Sequence, residues 1–438
     1  MPKWRHKGKY QKNYFKYMSK RPVLLLFLCL ISSLGISQTK NQLTEEEKKY
    51  LLNFVYPISS VDPEQQGNDD LKVLNGLVGN SKVVALGEVT HGSSEIYQLK
   101  DRMYRYLAQN KGYDIFSLEA SMPEAYNINQ YVVHGEGDPK ALLKGMYFWT
   151  WQTEEMLSIV NWMKEYNSQN EKKIQFSGFD MQFYQGALAN LKKDFSKYQF
   201  PENDVNELSA MLIEIQTKTS QKKSGHTLVS KKQKENIDTL LNNTKKRAEK
   251  IPAGIDRKWF LQNVRIIEQY LAKSYSTRDK LMAENVMWIA ENYPNSKIVV
   301  SAHNGHINNR KNGMGSFLKE GLKNDYTTFG FAFYEGTYTA LSNTLKKESL
   351  RTPQIAQTAI PGTVEYLLNS LDIPILILDL KRLKSEGNPL AKWILNDIMK
   401  FRNTGAVALK REFWDANVSN DFDYLVFIKS STNSKLLD

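Results

Sequence analysis

The chain has 438 residues, of which 41 % are apolar, and a formal net charge of +12. This apolar content is typical of a folded globular protein and excludes an intrinsically disordered chain, and the length allows one large domain or two ordinary ones. Eight positive charges and no acidic residue lie in residues 1–37, so the rest of the chain carries only +4 of the total. The basic charge is therefore poor evidence for nucleic-acid binding, and we expect no nucleic-acid partner.

Residues 1–37 have the pattern of a signal peptide. Basic residues precede an uncharged, mostly apolar run at residues 23–36, and small residues at positions 35 and 37 favour cleavage before Gln38. The alternative is an uncleaved anchor, but the 14 residues of this run are fewer than the roughly 20 that a spanning helix needs. We therefore expect export to the periplasm or secretion, with no stable membrane insertion after cleavage.

The single cysteine of the chain, Cys29, lies inside the predicted signal peptide. The exported chain would therefore have no internal disulfide, no thiol nucleophile and no thiolate metal ligand. Its stability would have to come from its hydrophobic core.

Short runs rich in β-branched or aromatic residues predict buried strands at residues 83–86, 115–118, 174–179, 298–301 and 329–333. Weaker candidates lie at residues 374–378 and 425–428. Apolar residues with helical spacing occur between them, at residues 95–109, 155–166 and 280–292. Alternating strands and helices predict an α/β fold, with a largely parallel or mixed central sheet flanked by helices.

Residues 201–275 contain no convincing strand and are helical in tendency. We interpret them as a helical insertion, which is either a lid over the substrate or a solvated surface. The predicted organisation is therefore a signal peptide (residues 1–37), an α/β catalytic domain (residues 38–200 and 276–438) and the insertion (residues 201–275).

Ionisable residues stand at or just beyond the ends of four predicted strands. In the order of those strands they are Glu88 with His91, Glu119, Asp180, and His303 with His306. Because the carboxyl ends of parallel strands share one edge of a sheet, we expect these side chains to converge on a single crevice.

Such a cluster can activate water. An imidazole can take a proton from water, and a carboxylate bonded to its other nitrogen fixes the tautomer. His91 with Glu88 or Glu119 fits these two roles. His303 and His306 are then candidates for stabilising an oxyanion or protonating a leaving alkoxide.

Other interpretations of these residues remain open. The same imidazoles and carboxylates suit zinc, iron or manganese, and the spacing of His303 and His306 does not decide between a metal site and a metal-free one. Asp180 and Glu119 could instead cap the helices that follow, and His306 could be a structural histidine. The aromatic run at residues 147–151 could be core or a wall of the crevice.

Motifs of other enzyme classes are missing from the sequence. It contains no Gly-x-Ser-x-Gly elbow, which disfavours a serine mechanism of the α/β-hydrolase type. It also contains no phosphate-binding loop and no dinucleotide fingerprint.

Six segments, in the same order along the chain, resemble motifs of the erythromycin esterase family. They are residues 86–92, Leu118-Glu119, residues 151–155 with Trp162, residues 178–182, Arg278-Asp279 with residues 282–285, and residues 302–306. Together they are spread over roughly residues 82–308, with weaker similarity towards the C-terminus.

The resemblance implies hydrolysis of the lactone ester of a macrolide such as erythromycin, which inactivates the antibiotic, without a metal or other cofactor. It places the general base on His91, its acidic partners on Glu88 and Glu119, and a second histidine pair on His303 and His306. The implied partner is the small-molecule substrate. The residues that we expect to bind it are Lys100, Trp151, Asp180, Arg278 and Asn304.

The chain departs from the family at Lys100, where family members commonly carry arginine. Lysine keeps the charge but loses the bidentate fork of arginine, and we expect Arg102 to face elsewhere. Two alternatives on the same fold stay open: a metal- or haem-binding protein, and a metal-dependent hydrolase of peptides or envelope polymers.

Overall fold

A computed structural model of the protein describes residues 40–222, 227–342 and 349–438. The predicted signal peptide lies outside the described residues. Within the three described ranges, every helix is too short or too polar to cross a membrane.

Helices and strands alternate along most of the chain. The helices are α1 (Glu45–Leu52), α2 (Leu74–Val78), α3 (Ser94–Lys111), α4 (Met122–His134), α5 (Pro139–Lys144), α6 (Glu154–Gln169), α7 (Gln185–Lys197), α8 (Asn203–Gln221), α9 (Lys231–Arg247), α10 (Ile255–Ala272), α11 (Arg278–Asn292), α12 (Asn304–Ile307), α13 (Met314–Leu322), α14 (Val364–Asn369), α15 (Leu380–Glu386), α16 (Lys392–Leu395) and α17 (Val418–Asp421). The strands are β1 (Val55–Pro57), β2 (Val83–Leu86), β3 (Tyr113–Ser121), β4 (Gln175–Asp180), β5 (Lys297–Ser301), β6 (Tyr326–Ser342), β7 (Ser349–Ile355), β8 (Ile375–Asp379), β9 (Met399–Arg402), β10 (Val407–Ala408), β11 (Phe413–Ala416) and β12 (Tyr424–Ser431).

One large mixed sheet forms the centre of the fold. Its main order is β1-β8-β12-β6-β2-β5-β3-β4, and the six strands from β12 to β4 are parallel. Strand β8 is antiparallel to both β12 and β1, and β7 and β10 extend β6. The prediction of an α/β fold with a largely parallel, mixed sheet is confirmed.

The predicted strands correspond to β2, β3, β4, β5, β6, β8 and β12. The prediction was wrong about the end of β3, because this strand continues to Ser121 and so contains Glu119. A register shift against β4 between Leu118 and Ser121 accompanies the extra residues. Glu119 is therefore held by the sheet itself and not by a loop.

Register places the carboxyl ends of four neighbouring strands at one level. Ser301 of β5 pairs with Leu86 of β2 and with Leu118 of β3, and Leu118 also pairs with Gly178 of β4. All four residues of β2 are fully buried, as expected for a central parallel strand with helices on both sides. Residues that follow these strands therefore start from a rigid, aligned edge.

The described part of residues 201–275 is helical and consists mainly of α8, α9 and α10. Helix α10 packs on α7, and Phe260 of α10 stacks on Phe195 of α7 with ring centroids 6.2 Å apart. The assignment of this segment as a separate insertion remains a prediction.

The loop after β2 is bonded to distant parts of the chain through Gly92. The Gly92 carbonyl accepts hydrogen bonds from the amides of Thr339, at 2.9 Å, and Ser434, at 2.8 Å. A Cβ at position 92 would overlap the backbone of Thr339. Only glycine therefore allows β6 to approach this loop so closely.

We predict that Gly92→Ala lowers the free energy of unfolding by about 1–3 kcal/mol, the usual cost of forcing atoms into a packed region. Urea unfolding of the two proteins measures the difference. Gly76→Ala is the control, because a Cβ there meets open space. Equal stability of Gly92→Ala and the wild type would contradict the proposed close approach.

Candidate active site

His91 and Glu88, both in the loop after β2, form the first pair of the site. Glu88 Oε1 lies 2.9 Å from His91 Nδ1. Glu88 is fully buried, and the His91 side chain is 12 % exposed. Since the ionised carboxylate only accepts, His91 donates from Nδ1 and leaves Nε2 as an acceptor. Among the described residues, none bonds to His91 Nε2.

Helix α3 supplies two partners that keep Glu88 ionised. Ser93 caps the helix, and Tyr97 and Lys100, three residues apart, lie on one face. Tyr97 Oη donates to Glu88 Oε1 at 3.1 Å, and the buried Lys100 ammonium pairs with Glu88 Oε2. Burial acts to raise the pKa of Glu88, but Lys100 and His91 outweigh it and lower the pKa to about 2.

Lys100 lies behind Glu88 and not on the wall of the crevice, since its side chain is 0 % exposed. Contact between Lys100 and the substrate remains a prediction, and the buried position of Lys100 does not favour it. A role in positioning Glu88 fits better. Arg102 points away, as expected, and binds Asp70 through two hydrogen bonds of 2.7 and 2.8 Å.

Glu119 joins three parts of the site. Its Oε1 accepts from Arg278 Nη2 at 2.8 Å and lies 3.2 Å from His306 Nε2. Its Oε2 accepts from the backbone N–H of His303 at 3.0 Å. Burial acts to raise the pKa of Glu119, but His306 and Arg278 hold it well below the usual range.

Asp180, the last residue of β4, binds the same guanidinium. Arg278 Nη2 donates to Asp180 Oδ2 at 2.7 Å, so Arg278 bridges two carboxylates. The capping alternatives are wrong for both acids, because Ser121 occupies the N-cap of α4 and Tyr184 that of α7. Arg278 and Asp180 bind one another, and their contact with substrate remains a prediction.

His306 lies between two carboxylates. Its Nδ1 is 2.6 Å from Asp279 Oδ1, and its Nε2 faces Glu119. Burial alone would lower the pKa of His306, but Glu119 and Asp279 raise it to about 10. The ring is therefore an imidazolium at neutral pH. Arg278 Nη1 lies 3.0 Å from His306 Nε2, and its positive charge opposes the two carboxylates by lowering the pKa of His306.

His303 is neutral and has one unused donor. Its Nδ1 accepts from the N–H of Gly305 at 3.1 Å, so the proton of the neutral ring is on Nε2. This Nε2 is buried and has no hydrogen-bond partner in the described part of the chain. Burial and the rings of His91 and His306 lower the pKa of His303 to about 4. The centroids of His303 and His91 are 5.4 Å apart.

Trp151 and Asn304 lie at the edge of this cluster. Trp151 is 2 % exposed and meets the His91 ring edge-on, with centroids 5.7 Å apart. Asn304 bonds the backbone of Phe331 through both amide atoms, at 2.8 and 3.1 Å. This arrangement favours a positioning role for Asn304, and its contact with substrate remains a prediction.

In the described part of the chain, Glu88, His91 and Glu119 could hold a metal ion, since one ligand atom from each lies within 4.8 Å of the others. Both carboxylates already pair with cations, Glu88 with the buried Lys100 and Glu119 with the half-buried Arg278. A divalent cation would have to break these pairs or lie beside them. The three residues therefore fit a metal poorly.

The roles of Tyr97 and Asp279 were not predicted from the sequence. Tyr97 lies one turn before Lys100 on the predicted helix, so helical spacing could have suggested that they share a target. Asp279 follows Arg278 directly, but its target His306 is on a different element, and nothing in the sequence joins them.

We predict that Asp279→Asn lowers the pKa of His306, because the amide removes one of the two anions that favour the charged ring. The folded pKa of His306, about 10, exceeds its ordinary value of 6.5. Its stabilising effect is therefore complete below about pH 6.5 and is lost as the pH rises through 10. Asp279→Asn should cost about 1.5–3 kcal/mol of unfolding free energy at pH 6 and less at pH 10.

An NMR titration of the His306 Cε1–H signal measures the pKa, and urea unfolding at the two pH values measures the stability. Asp325→Asn is the matched control, because Asp325 is exposed. An unchanged pKa of His306 in Asp279→Asn would rule out the assigned role of Asp279.

A model of the erythromycin esterase family matches residues 108–431 of the chain. "Putative hydrolase YbfO" of Bacillus subtilis is 26 % identical over 403 residues, covering 83 % of this chain and 88 % of that protein. "Erythromycin esterase type II" of Escherichia coli is 26 % identical over 315 residues, covering 62 % of this chain and 74 % of that protein.

Solved structures of similar proteins share the fold. A Bacillus cereus protein has a TM-score of 0.77 at 24 % identity, covering 90 % of this chain and 99 % of its own. A mutant of the erythromycin esterase EreC in its open conformation has a TM-score of 0.62 at 19 % identity, covering 86 % and 98 %. The family match covers most of the chain, and the relatives' names support a hydrolase. The chain belongs to the erythromycin esterase family.

Proposed function

We propose that this protein hydrolyses the lactone ester of a macrolide such as erythromycin with water activated by His91, and that no metal ion takes part. The observation that carries the proposal is the proximity of two imidazole rings whose free nitrogen atoms have different hydrogen-bonding roles. His91 offers an acceptor at Nε2, and His303, 5.4 Å away between ring centroids, offers a donor at its own Nε2. Together they can deprotonate water and receive negative charge.

In the first step, His91 Nε2 takes a proton from water, and the resulting hydroxide attacks the carbonyl carbon of the ester. Glu88 holds the proton of His91 on Nδ1 and stabilises the imidazolium that forms. The carbonyl π bond opens, and its electron pair moves to the oxygen, giving a tetrahedral oxyanion.

His303 Nε2–H is the donor that we assign to this oxyanion. A neutral imidazole can donate from Nε2 without bringing a charge into a buried site, and a fixed donor stabilises charge where it develops. The pKa of about 4 keeps His303 neutral at ordinary pH. A buried donor without a partner costs free energy in the free protein, and this cost is relieved when the oxyanion forms.

In the second step, the tetrahedral intermediate collapses and the bond between the acyl carbon and the ring oxygen breaks. The leaving alkoxide takes the proton from the His91 imidazolium, which restores the base. The products are a carboxylic acid, which ionises, and an alcohol within one opened ring, so the product has gained one water.

The macrolide as substrate rests on family membership, and the Escherichia coli relative is itself named an erythromycin esterase. We also propose that the protein is exported, and this proposal rests only on the sequence pattern of residues 1–37.

We predict that the purified protein converts erythromycin into a product that is heavier by one water, detected by mass spectrometry. His91→Ala should abolish the reaction, because it removes the acceptor to which we assign the proton of the attacking water. His303→Phe keeps a ring of similar size but has no donor, and it should lower kcat by about 10²–10³, as the loss of one oxyanion donor does in other enzymes. His134→Ala is the matched control and should leave the rate unchanged, since His134 lies at the end of α4.

Full activity of His91→Ala would contradict its role as the base. Activity that a chelator removes and an added metal restores would replace the metal-free mechanism with a metal-dependent one. A folded protein that opens none of several macrolides would contradict the proposed substrate.

A further inference from the structure

Three partly exposed aromatic side chains form a surface beside the site, and we call it the aromatic ledge. It consists of Tyr147, Phe148 and Phe183. Tyr147 is 41 % and Phe148 36 % exposed. The Phe183 ring lies 4.1 Å from that of Tyr147 and 5.3 Å from that of Phe148, between centroids. We propose that the ledge binds the apolar body of the substrate next to the ester that is cleaved.

The ledge is connected to the site through both of its segments. Phe148 precedes a short 3₁₀ turn, Trp149–Trp151, and its carbonyl accepts from the N–H of Trp151 at 3.3 Å. Trp151 contacts His91 edge-on. Phe183 is three residues after Asp180, so their Cα atoms lie within about 11 Å of each other. The ledge is therefore at the carboxyl edge of the sheet, where α/β proteins bind ligands.

The conformation of Tyr147 is unfavourable and is held in place by a buried group. Its φ of 69° is in the left-handed region, which is costly for a bulky residue. Tyr147 Oη donates to Glu124 Oε1 at 2.6 Å, and the same oxygen accepts from the N–H of Gly186 at 2.8 Å. Glu124 is 8 % exposed. Packing alone does not require this conformation, because it leaves the ring partly in water instead of burying it.

The chemistry of the ledge indicates its ligand. Aromatic faces bind flat apolar surfaces, and apart from the Tyr147 hydroxyl, which Glu124 occupies, these three side chains carry no polar group. The ledge therefore suits the hydrocarbon face of a large ester and contributes little to a small one. This inference rests on the proposed function, of which it names the specificity-determining residues.

The test compares a large ligand with a small one. Binding of erythromycin to His91→Ala is measured by calorimetry with and without Phe183→Ala, and so does not depend on turnover. We expect Phe183→Ala to weaken binding about tenfold. In the protein with His91 intact, the ratio of kcat/KM for p-nitrophenyl octanoate to that for p-nitrophenyl acetate should fall about tenfold, with acetate unchanged.

Tyr126→Ala is the matched control. Tyr126 is 37 % exposed and pairs with Trp259 at 5.5 Å between centroids, but it lies beside Ile115 and Gln175, near the amino ends of β3 and β4. It should change neither measurement. Phe183→Leu keeps most of the apolar volume, so it tests the ledge even if Phe183→Ala does not fold. We expect it to weaken erythromycin binding less than Phe183→Ala does.

The inference and the proposed function fail in different ways. If erythromycin binds, binds more weakly to Phe183→Ala and is not opened, the proposed function is wrong and the inference about the ledge stands. If Phe183→Ala and the wild type open erythromycin equally well, the inference about the ledge is wrong and the proposed function stands. An equal loss of kcat/KM for both p-nitrophenyl esters would also overturn the inference. So would a dimer, detected by light scattering, in which a second copy of the chain covers the ledge.

Discussion

The buried ion pair of Glu88 and Lys100 is the interaction on which the site depends. Both side chains are fully buried, and an unpaired charge in such a place costs several kcal/mol. Lys100 keeps Glu88 ionised, and only an ionised Glu88 accepts from His91, Tyr97 and Lys100 together. The pair therefore sets the tautomer of His91. Lysine at position 100 cannot form the two parallel hydrogen bonds of an arginine. It still supplies the positive charge that balances the Glu88 carboxylate.

The same principle of charge compensation extends across the sheet edge. Arg278 and the His306 imidazolium face Glu119, and Asp279 fixes the charge of His306. Glu119 in turn holds the backbone of His303, whose side chain stays neutral. Two histidines only three residues apart thus differ in charge, because one faces two carboxylates and the other faces imidazole rings and apolar surroundings. A neutral oxyanion donor and a fixed imidazolium are consequences of this difference.

Much of this arrangement could be predicted from the sequence, because it depends on local patterns. Apolar runs predicted the central strands, and the ends of those strands predicted the cluster around His91, Glu119 and His303. Short strands such as β1 and β10, with three and two residues, have no pattern strong enough to predict. The contact of Asp279 with His306 and the exposure of Tyr147 depend on packing between distant segments. Those features required the three-dimensional structure.

The double variant Glu88→Gln, Lys100→Met tests directly whether the buried ion pair supports the catalytic role of His91. It removes both buried charges while keeping the side-chain volumes similar, so the free energy of unfolding should stay within about 1–2 kcal/mol of the wild type. We expect kcat/KM for erythromycin to fall by at least about 100-fold, because a neutral amide at position 88 cannot stabilise the His91 imidazolium as a carboxylate does. Hydrolysis within a few-fold of the wild-type rate by this folded variant would show that the buried ion pair is not required for catalysis.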